Sequence, residues 1–315
     1  MIKKVLTVRK RDLIIIGGGP AGLSAGIYAS RFALNTLLIE RRAPGGLVTS
    51  TQNIENYPGF LNVSGAELMM QMEQQARGFG LEIITVNVDK IEPSEKEVII
   101  YTSKGAIAAD TLIVATGTQP QLLNVKGEAE FTGRGVSYCA TCDGAFFKDK
   151  RVIVTGGGDA AIEEAIFLTK FAKKVYIVHR RGELKATEII QQRAFNNPKI
   201  EFVWHSVIDE ISGTDAVDKT LLRDVRNNAQ MLLPTDGVFV YIGNSPNSDL
   251  VKDIVRLDEQ GYIVTDDNML TSQPGIYAAG DVRHKILRQV VTAVADGAVA
   301  AASVKKYLED KKGYL

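Results

Sequence analysis

Only two cysteines occur among the 315 residues, and both fall in one short stretch, Cys139 to Cys142. Two thiols cannot build the disulfide framework of a small secreted domain, so the pair points to a reducing, cytoplasmic setting in which thiols have a use. Neither sign of charge is in excess, with Lys plus Arg and Asp plus Glu both numbering 37. The chain therefore lacks the electrostatic pull of a nucleic-acid binder or of a protein drawn to anionic membranes. No stretch reaches ~20 uninterrupted apolar residues, so a spanning helix is not expected. Hydrophobic residues at 45% and charged residues at 23% exclude the disordered and collagen-like classes. The length leaves room for about two domains.

Lys3, Lys4, Arg9, Lys10 and Arg11 precede the apolar run Leu13 to Ile16, which superficially resembles a secretory signal. Gly17-Gly18-Gly19-Pro20 cuts that run at its centre and would break an apolar helix, so the segment is read as part of the fold. Short β-branched runs recur at Leu13–Ile16, Leu37–Ile39, Thr111–Val114, Val152–Val154 and Val175–Val178, with Ala-, Leu- and Glu-rich helical stretches between several of them. Strand alternating with helix favours an α/β fold with parallel sheet.

Two Gly-rich turns repeat one device. Gly17-Gly18-Gly19-Pro20-Ala21-Gly22 follows the first strand, and Gly156-Gly157-Gly158-Asp159-Ala160-Ala161 follows the strand ending near Thr155. In each copy 23 residues separate the first glycine from the end of the next strand, at Glu40 and at His179. Such glycines allow a tight turn, approach of backbone to a pyrophosphate and close packing of helix on strand, with the phosphate at the helix N-terminus. Glu40 can accept hydrogen bonds from ribose hydroxyls, as FAD or NAD requires. His179-Arg180-Arg181 offers positive charge and forked donors where a 2′-phosphate would lie. The first unit is therefore expected to hold FAD and the second NADPH.

Cys139-Ala140-Thr141-Cys142 has the spacing of a dithiol that opens and closes. Half of a zinc site is the competing reading, but no second CxxC exists and only His179, His205 and His284 remain as soft donors. An inert structural pair is the other. Asp143 follows directly, placed either to shuttle the proton of thiol–disulfide exchange or to cap the turn. No metal site is expected.

These motifs together resemble the low-molecular-weight, bacterial-type thioredoxin reductases among the pyridine nucleotide-disulfide oxidoreductases. The resemblance runs from about Asp12 to Leu308 and is carried by Gly17–Gly22, Asn53–Gly59, Ala115–Gly117, Cys139–Gly144, Gly156–Asp159, His179–Arg181 and Gly275–Asp281. It implies two Rossmann-like domains, with NADPH binding in 119–248 inserted into a discontinuous FAD domain, 1–118 and 249–315. For FAD it implies Gly17, Gly19, Pro20, Ala21, Gly22, Glu40, Arg41, Gly45, Gly46, Leu47, Asn56, Ala115, Thr116, Gly117, Gly280, Asp281, Val282, Arg288, Gln289 and Val290. For NADPH it implies Gly156, Gly158, Asp159, Ala160, Glu163, His179, Arg180, Arg181, Lys185, Ile242 and Gly243.

The resemblance also implies a reaction in which electrons pass from NADPH through flavin to a Cys139–Cys142 disulfide and on to thioredoxin. Cys142 would be the flavin-proximal sulfur, Cys139 the nucleophile and Asp143 the acid/base, in a homodimer whose NADPH domain rotates. Two departures stand out. Leu47 replaces a glutamine in the flavin turn, and Lys185 replaces a third arginine after His-Arg-Arg, giving a point charge without a fork. Another dithiol carrier, NADH or a non-nicotinamide donor, a ferredoxin-linked flavoprotein and a flavin-based redox sensor are the alternatives.

Overall fold

The computed structural model describes residues 10–51 and 54–313. Lys3, Lys4 and Arg9 of the basic stretch and Asn53 of the 53–59 motif lie outside the described residues. Leu13, Ile14 and Ile15 are fully buried on both faces, as a central strand of a parallel sheet requires. Strand Arg11–Ile16 pairs in parallel with Thr36–Glu40 on one side and Gly105–Val114 on the other. Glu82–Thr85 extends the sheet beyond Thr36–Glu40, and Ile276–Ala278 joins Gly105–Val114, also in parallel. The antiparallel strands Val98–Thr102 and Val88–Pro93 complete the seven.

The chain divides into two compact units, residues 1–119 with 245–315, and residues 120–244. The return to the first unit comes earlier than the join expected after 248. Asn247 and Ser248 are already bound into that unit: the Asn247 N–H donates to Gly117 O, Thr116 Oγ1 donates to Asn247 O, and Ser248 Oγ donates to Gly261 O.

In the first unit, helix Pro20–Arg31 packs on the long helix Val290–Lys312 through small residues. A Cβ on Gly297 would lie 2.1 Å from Ala21 O, so the approach depends on its absence. The second unit has its own parallel sheet, ordered Ile200–Val203, Lys174–Val178, Arg151–Gly156, Gly237–Tyr241, Val136–Ser137. Helix Asp159–Leu168 buries Ala161, Ile162, Ala165 and Leu168. An antiparallel three-stranded sheet, Ser206–Gly213, Val217–Asp224 and Gln230–Pro234, is inserted before the last long strand. The fold is α/β with Rossmann-like units. Among the described residues no helix is long and apolar enough to cross a membrane.

Candidate active site

The helices after the two Gly-rich turns begin unlike helices Gly65–Gly78 and Val290–Lys312. Helix Gly65–Gly78 is capped by Ser64, whose hydroxyl accepts from the Glu67 N–H, and Val290–Lys312 by a Gln289/Thr292 capping box. Helices Pro20–Arg31 and Asp159–Leu168 start at Gly19 and Gly158 with no side-chain cap, and Pro20 presets the first turn. Their first-turn N–H groups carry the positive end of the helix dipole with no side chain of their own to satisfy them, the arrangement that receives a phosphate. A Cβ at Gly19 or Gly158 would meet nothing within 4 Å, so both turns are open.

In the first unit the carboxyl ends of the parallel strands bring the expected residues together. Gly17 has φ +108°, and a Cβ there would lie 2.2 Å from Ala115 O; one on Gly22 would lie 1.8 Å from Gly17 O. Only glycine permits this turn. The Gly45 N–H donates to Gly18 O, setting the Gly45-Gly46-Leu47 turn beside it, and Leu47 is 46% exposed. Glu40 Oε2 accepts from the Gly18 N–H at 2.7 Å, and its Oε1 from Arg41 at 2.7 Å and Arg42 at 3.1 Å, so the carboxylate is held in place by backbone. Thr116 and Gly117 continue the strand end, and exposed Asn56 donates Nδ2 to Gln289 Oε1 at 3.2 Å. The Val282 side chain lies wholly in the core, which leaves its backbone alone to meet a ligand.

Asp281 and Arg288 test whether a polar ligand suits this crevice. Asp281 Oδ1 and Arg288 Nε are both buried and make no hydrogen bond. Lys285 Nζ stands 3.4 Å from Asp281 Oδ1 as an ion pair, and burial pushes the Asp281 carboxyl up against that attraction. The Arg288 guanidinium lies 3.8 Å over the Tyr262 ring. Buried polar groups left in this state are what a bound ribityl chain and ring would satisfy, so the residues fit a flavin nucleotide. Asp296 was not singled out by sequence. Its Oδ2 accepts from the Gly280 N–H and Lys285 Nζ and its Oδ1 from Arg283 Nη1, each at 3.0 Å, which fixes the segment that carries Asp281. An acidic residue in the Ala-rich run 293–302 was the available signal.

In the second unit Gly156 has φ +145°, and a Cβ there would lie 2.3 Å from Tyr241 O, next to Ile242 and Gly243 at the end of the neighbouring strand. Lys185 is brought to the turn by its N–H, which donates to Gly157 O at 2.7 Å. Asp159 accepts the Thr187 N–H at 2.6 Å; Ala160 and Glu163 are exposed on the same helix. Arg180, Arg181 and Lys185 are exposed, as a phosphate clamp needs.

His179 sits differently from the two arginines that follow it. It is 9% exposed with its ring against Gly157, where a Cβ would come within 2.5 Å. Burial, helped by the charges of Arg180 and Arg181, pushes its imidazole below the ordinary value, and its Nε2 is buried without a hydrogen-bond partner.

Cys139 and Cys142 form a disulfide with Cα atoms 5.3 Å apart, on the short helix Ala140–Asp143. The pairing fits the redox-active disulfide that the CxxC spacing leads one to expect. Cys139 Sγ accepts the Cys142 N–H at 3.2 Å and lies 3.4 Å from the Thr141 hydroxyl. These are donors that stabilise a thiolate at Cys139 once the bond opens. Cys142 is the more exposed of the two residues, and Asp143 is half-buried. Two further groups were missed. Tyr241 accepts the Ala140 N–H at 2.8 Å, and Glu164, mostly buried with Oε2 unpartnered, has its carboxyl pushed up to about 7 by burial and then by the charge of Glu163.

Comparison with known proteins accords with this geometry. The model of the pyridine nucleotide-disulphide oxidoreductase family matches residues 11–297. The thioredoxin reductase of Peptoclostridium litorale is 48% identical over 306 residues, covering 95% of this chain and 97% of that protein. The crystal structure of Lactococcus lactis thioredoxin reductase superposes with a TM-score of 0.94 at 44% identity, covering 96% of this chain and 100% of that one. That of the T. acidophilum thioredoxin reductase gives 0.90 at 36% identity, covering 95% and 98%. With two uncapped nucleotide helices, a CxxC disulfide and these likenesses over nearly its whole length, the chain belongs to the thioredoxin reductases of the pyridine nucleotide-disulphide oxidoreductase family.

Proposed function

We propose that the protein is an NADPH-dependent, FAD-containing reductase of thioredoxin, acting in the cytoplasm as a homodimer. The observation that carries this reading is the disulfide itself, with a backbone N–H on Cys139 Sγ, in a unit that also holds a Gly-rich turn flanked by Arg180, Arg181 and Lys185. FAD, when bound, accepts a hydride from a nicotinamide and passes the electron pair to a disulfide. Gly17, Gly19 and the start of helix Pro20–Arg31 would take its pyrophosphate, Glu40 its adenosine ribose, and Asp281 and Arg288 its ribityl and ring region. Gly158 and helix Asp159–Leu168 would take the NADPH pyrophosphate. Cys139 attacks the thioredoxin disulfide, Cys142 resolves it, and Asp143 carries the proton.

Anaerobic titration of the purified flavoprotein tests this directly. Bleaching of the flavin band is expected to need about two electron pairs from NADPH, one for the flavin and one for the disulfide. Bleaching complete after about one pair would separate the cysteines from the flavin and sink the disulfide mechanism. No bleaching by NADPH or NADH, where dithionite still works, would send the search to another donor.

The 2′-phosphate assignment has its own test. Removing Arg180 or Arg181 should cut the preference for NADPH over NADH roughly 10- to 100-fold, since a hydrogen bond to a charged group is worth ~1.5–3 kcal/mol.

A further inference from the structure

Strand Val136–Ser137 ends just before the redox motif and pairs in parallel with Gly237–Tyr241, Ser137 opposite Phe239. Each strand places one hydroxyl against the motif. Tyr241 accepts the Ala140 N–H at 2.8 Å, and Ser137 Oγ accepts the Cys139 N–H at 3.1 Å. Ser137 is 5% exposed and has a single proton to give. Two acceptors stand near it, Asp143 Oδ2 at 2.7 Å and Cys139 O at 3.2 Å. The shorter contact, to a group that is an anion when ionised, is the stronger. One hydroxyl therefore ties the backbone of Cys139 to the carboxylate of Asp143.

We propose that Ser137 is a positioning residue for thiol–disulfide exchange, holding the Asp143 carboxylate in register with Cys139 while the sulfurs change partners. This rests on reading Asp143 as the proton carrier. In the exchange, the Cys139 thiolate bonds to one sulfur of the substrate disulfide, and the other sulfur leaves and takes from solvent the proton that Cys139 released on becoming a thiolate. Cys142 then gives its proton to the Asp143 carboxylate, bonds to Cys139 Sγ and displaces the remaining substrate sulfur, which receives that proton. Two electrons and two protons reach the substrate, and the enzyme disulfide is restored. A carboxylate free to rotate would meet Cys142 in fewer of its orientations, and misplacement of a reacting group by ~1 Å can cost ~100-fold.

The test compares the holoenzyme with Ser137→Ala, Asp143→Asn and the double variant, measuring kcat and KM for thioredoxin. Flavin reduction by NADPH is followed separately by rapid mixing. Ser137→Ala is expected to lower kcat about tenfold with KM and flavin reduction unchanged. The double variant should match Asp143→Asn. Ser137→Thr and Ser137→Val, equal in shape and different in the hydroxyl, make the same comparison should Ser137→Ala fold poorly: Thr restores activity and Val does not. If Asp143→Asn is impaired and Ser137→Ala lowers kcat equally in both backgrounds, the hydroxyl does not act through Asp143 and the proposal falls alone. If Asp143→Asn behaves as wild type, the reading of Asp143 falls and this proposal with it.

Discussion

Cys142→Ser should bring thioredoxin reduction to the uncatalysed level while the flavin remains reducible by NADPH. The disulfide of this structure joins Cys139 to Cys142, and no other cysteine exists to replace either partner. With serine at 142, an attack by Cys139 on oxidised thioredoxin still forms a mixed disulfide, but nothing displaces it. A covalent adduct should therefore accumulate, visible by mass under non-reducing conditions, and NADPH titration should need about one electron pair in place of about two. Cys139→Ser should be equally inactive and form no adduct, because the Cys142 N–H and the Thr141 hydroxyl favour a thiolate at Cys139. An adduct formed only by Cys139→Ser would reverse the two roles. The fold survives both changes, since closing a loop this short constrains the unfolded chain by only ~2 kcal/mol.

Glu164→Gln should stabilise the protein at alkaline pH by up to about 3 kcal/mol, and the gain should fade as pH falls toward the ordinary carboxyl value. Burial and the neighbouring Glu163 push the Glu164 carboxyl from 4.5 to about 7. Between these two values the folded state holds a proton that the unfolded state has released, so stability falls as pH rises through the interval. Above about 7 the folded protein carries a buried charge that glutamine does not. The amide leaves donors of its own to satisfy, at ~1–3 kcal/mol, but that cost is the same at every pH. The diagnostic is therefore the change with pH of the difference in unfolding free energy. A difference that is constant from about pH 5 to about pH 8 would mean that Glu164 is ionised throughout, in the manner of a solvated carboxylate.

Much of this was legible because it is local. The Gly-rich turns, the 23-residue spacing to Glu40 and His179, and the CxxC each occupy a few consecutive residues. What escaped depends on distance along the chain. Tyr241 reaches Ala140 from 101 residues away, and nothing in the pattern of either segment reports it. Asp296 meets the Gly280 N–H from inside an otherwise alanine-rich helix, and Ser137 reads as one more strand residue until its hydroxyl is seen between Cys139 and Asp143. That His179 is buried while Arg180 and Arg181 are exposed escaped for a related reason. The three residues are consecutive, and burial is a property of the folded neighbourhood. The inserted antiparallel sheet was also missed, since Val217–Asp224 mixes apolar and charged residues without a clean alternation.

The discontinuity of the first unit dictates an order of assembly during synthesis. Residues 120–244 are contiguous and can complete their sheet as soon as they leave the ribosome. The first sheet cannot do so: Gly105–Val114 waits for Ile276–Ala278, and helix Pro20–Arg31 for Val290–Lys312. At ~5–20 residues per second the N-terminal piece spends roughly 10–40 s with an unpaired strand flank and an uncovered small-residue helix. The inserted unit therefore matures first, and the earlier half of the polypeptide is the part most in need of chaperone protection until the last helix emerges.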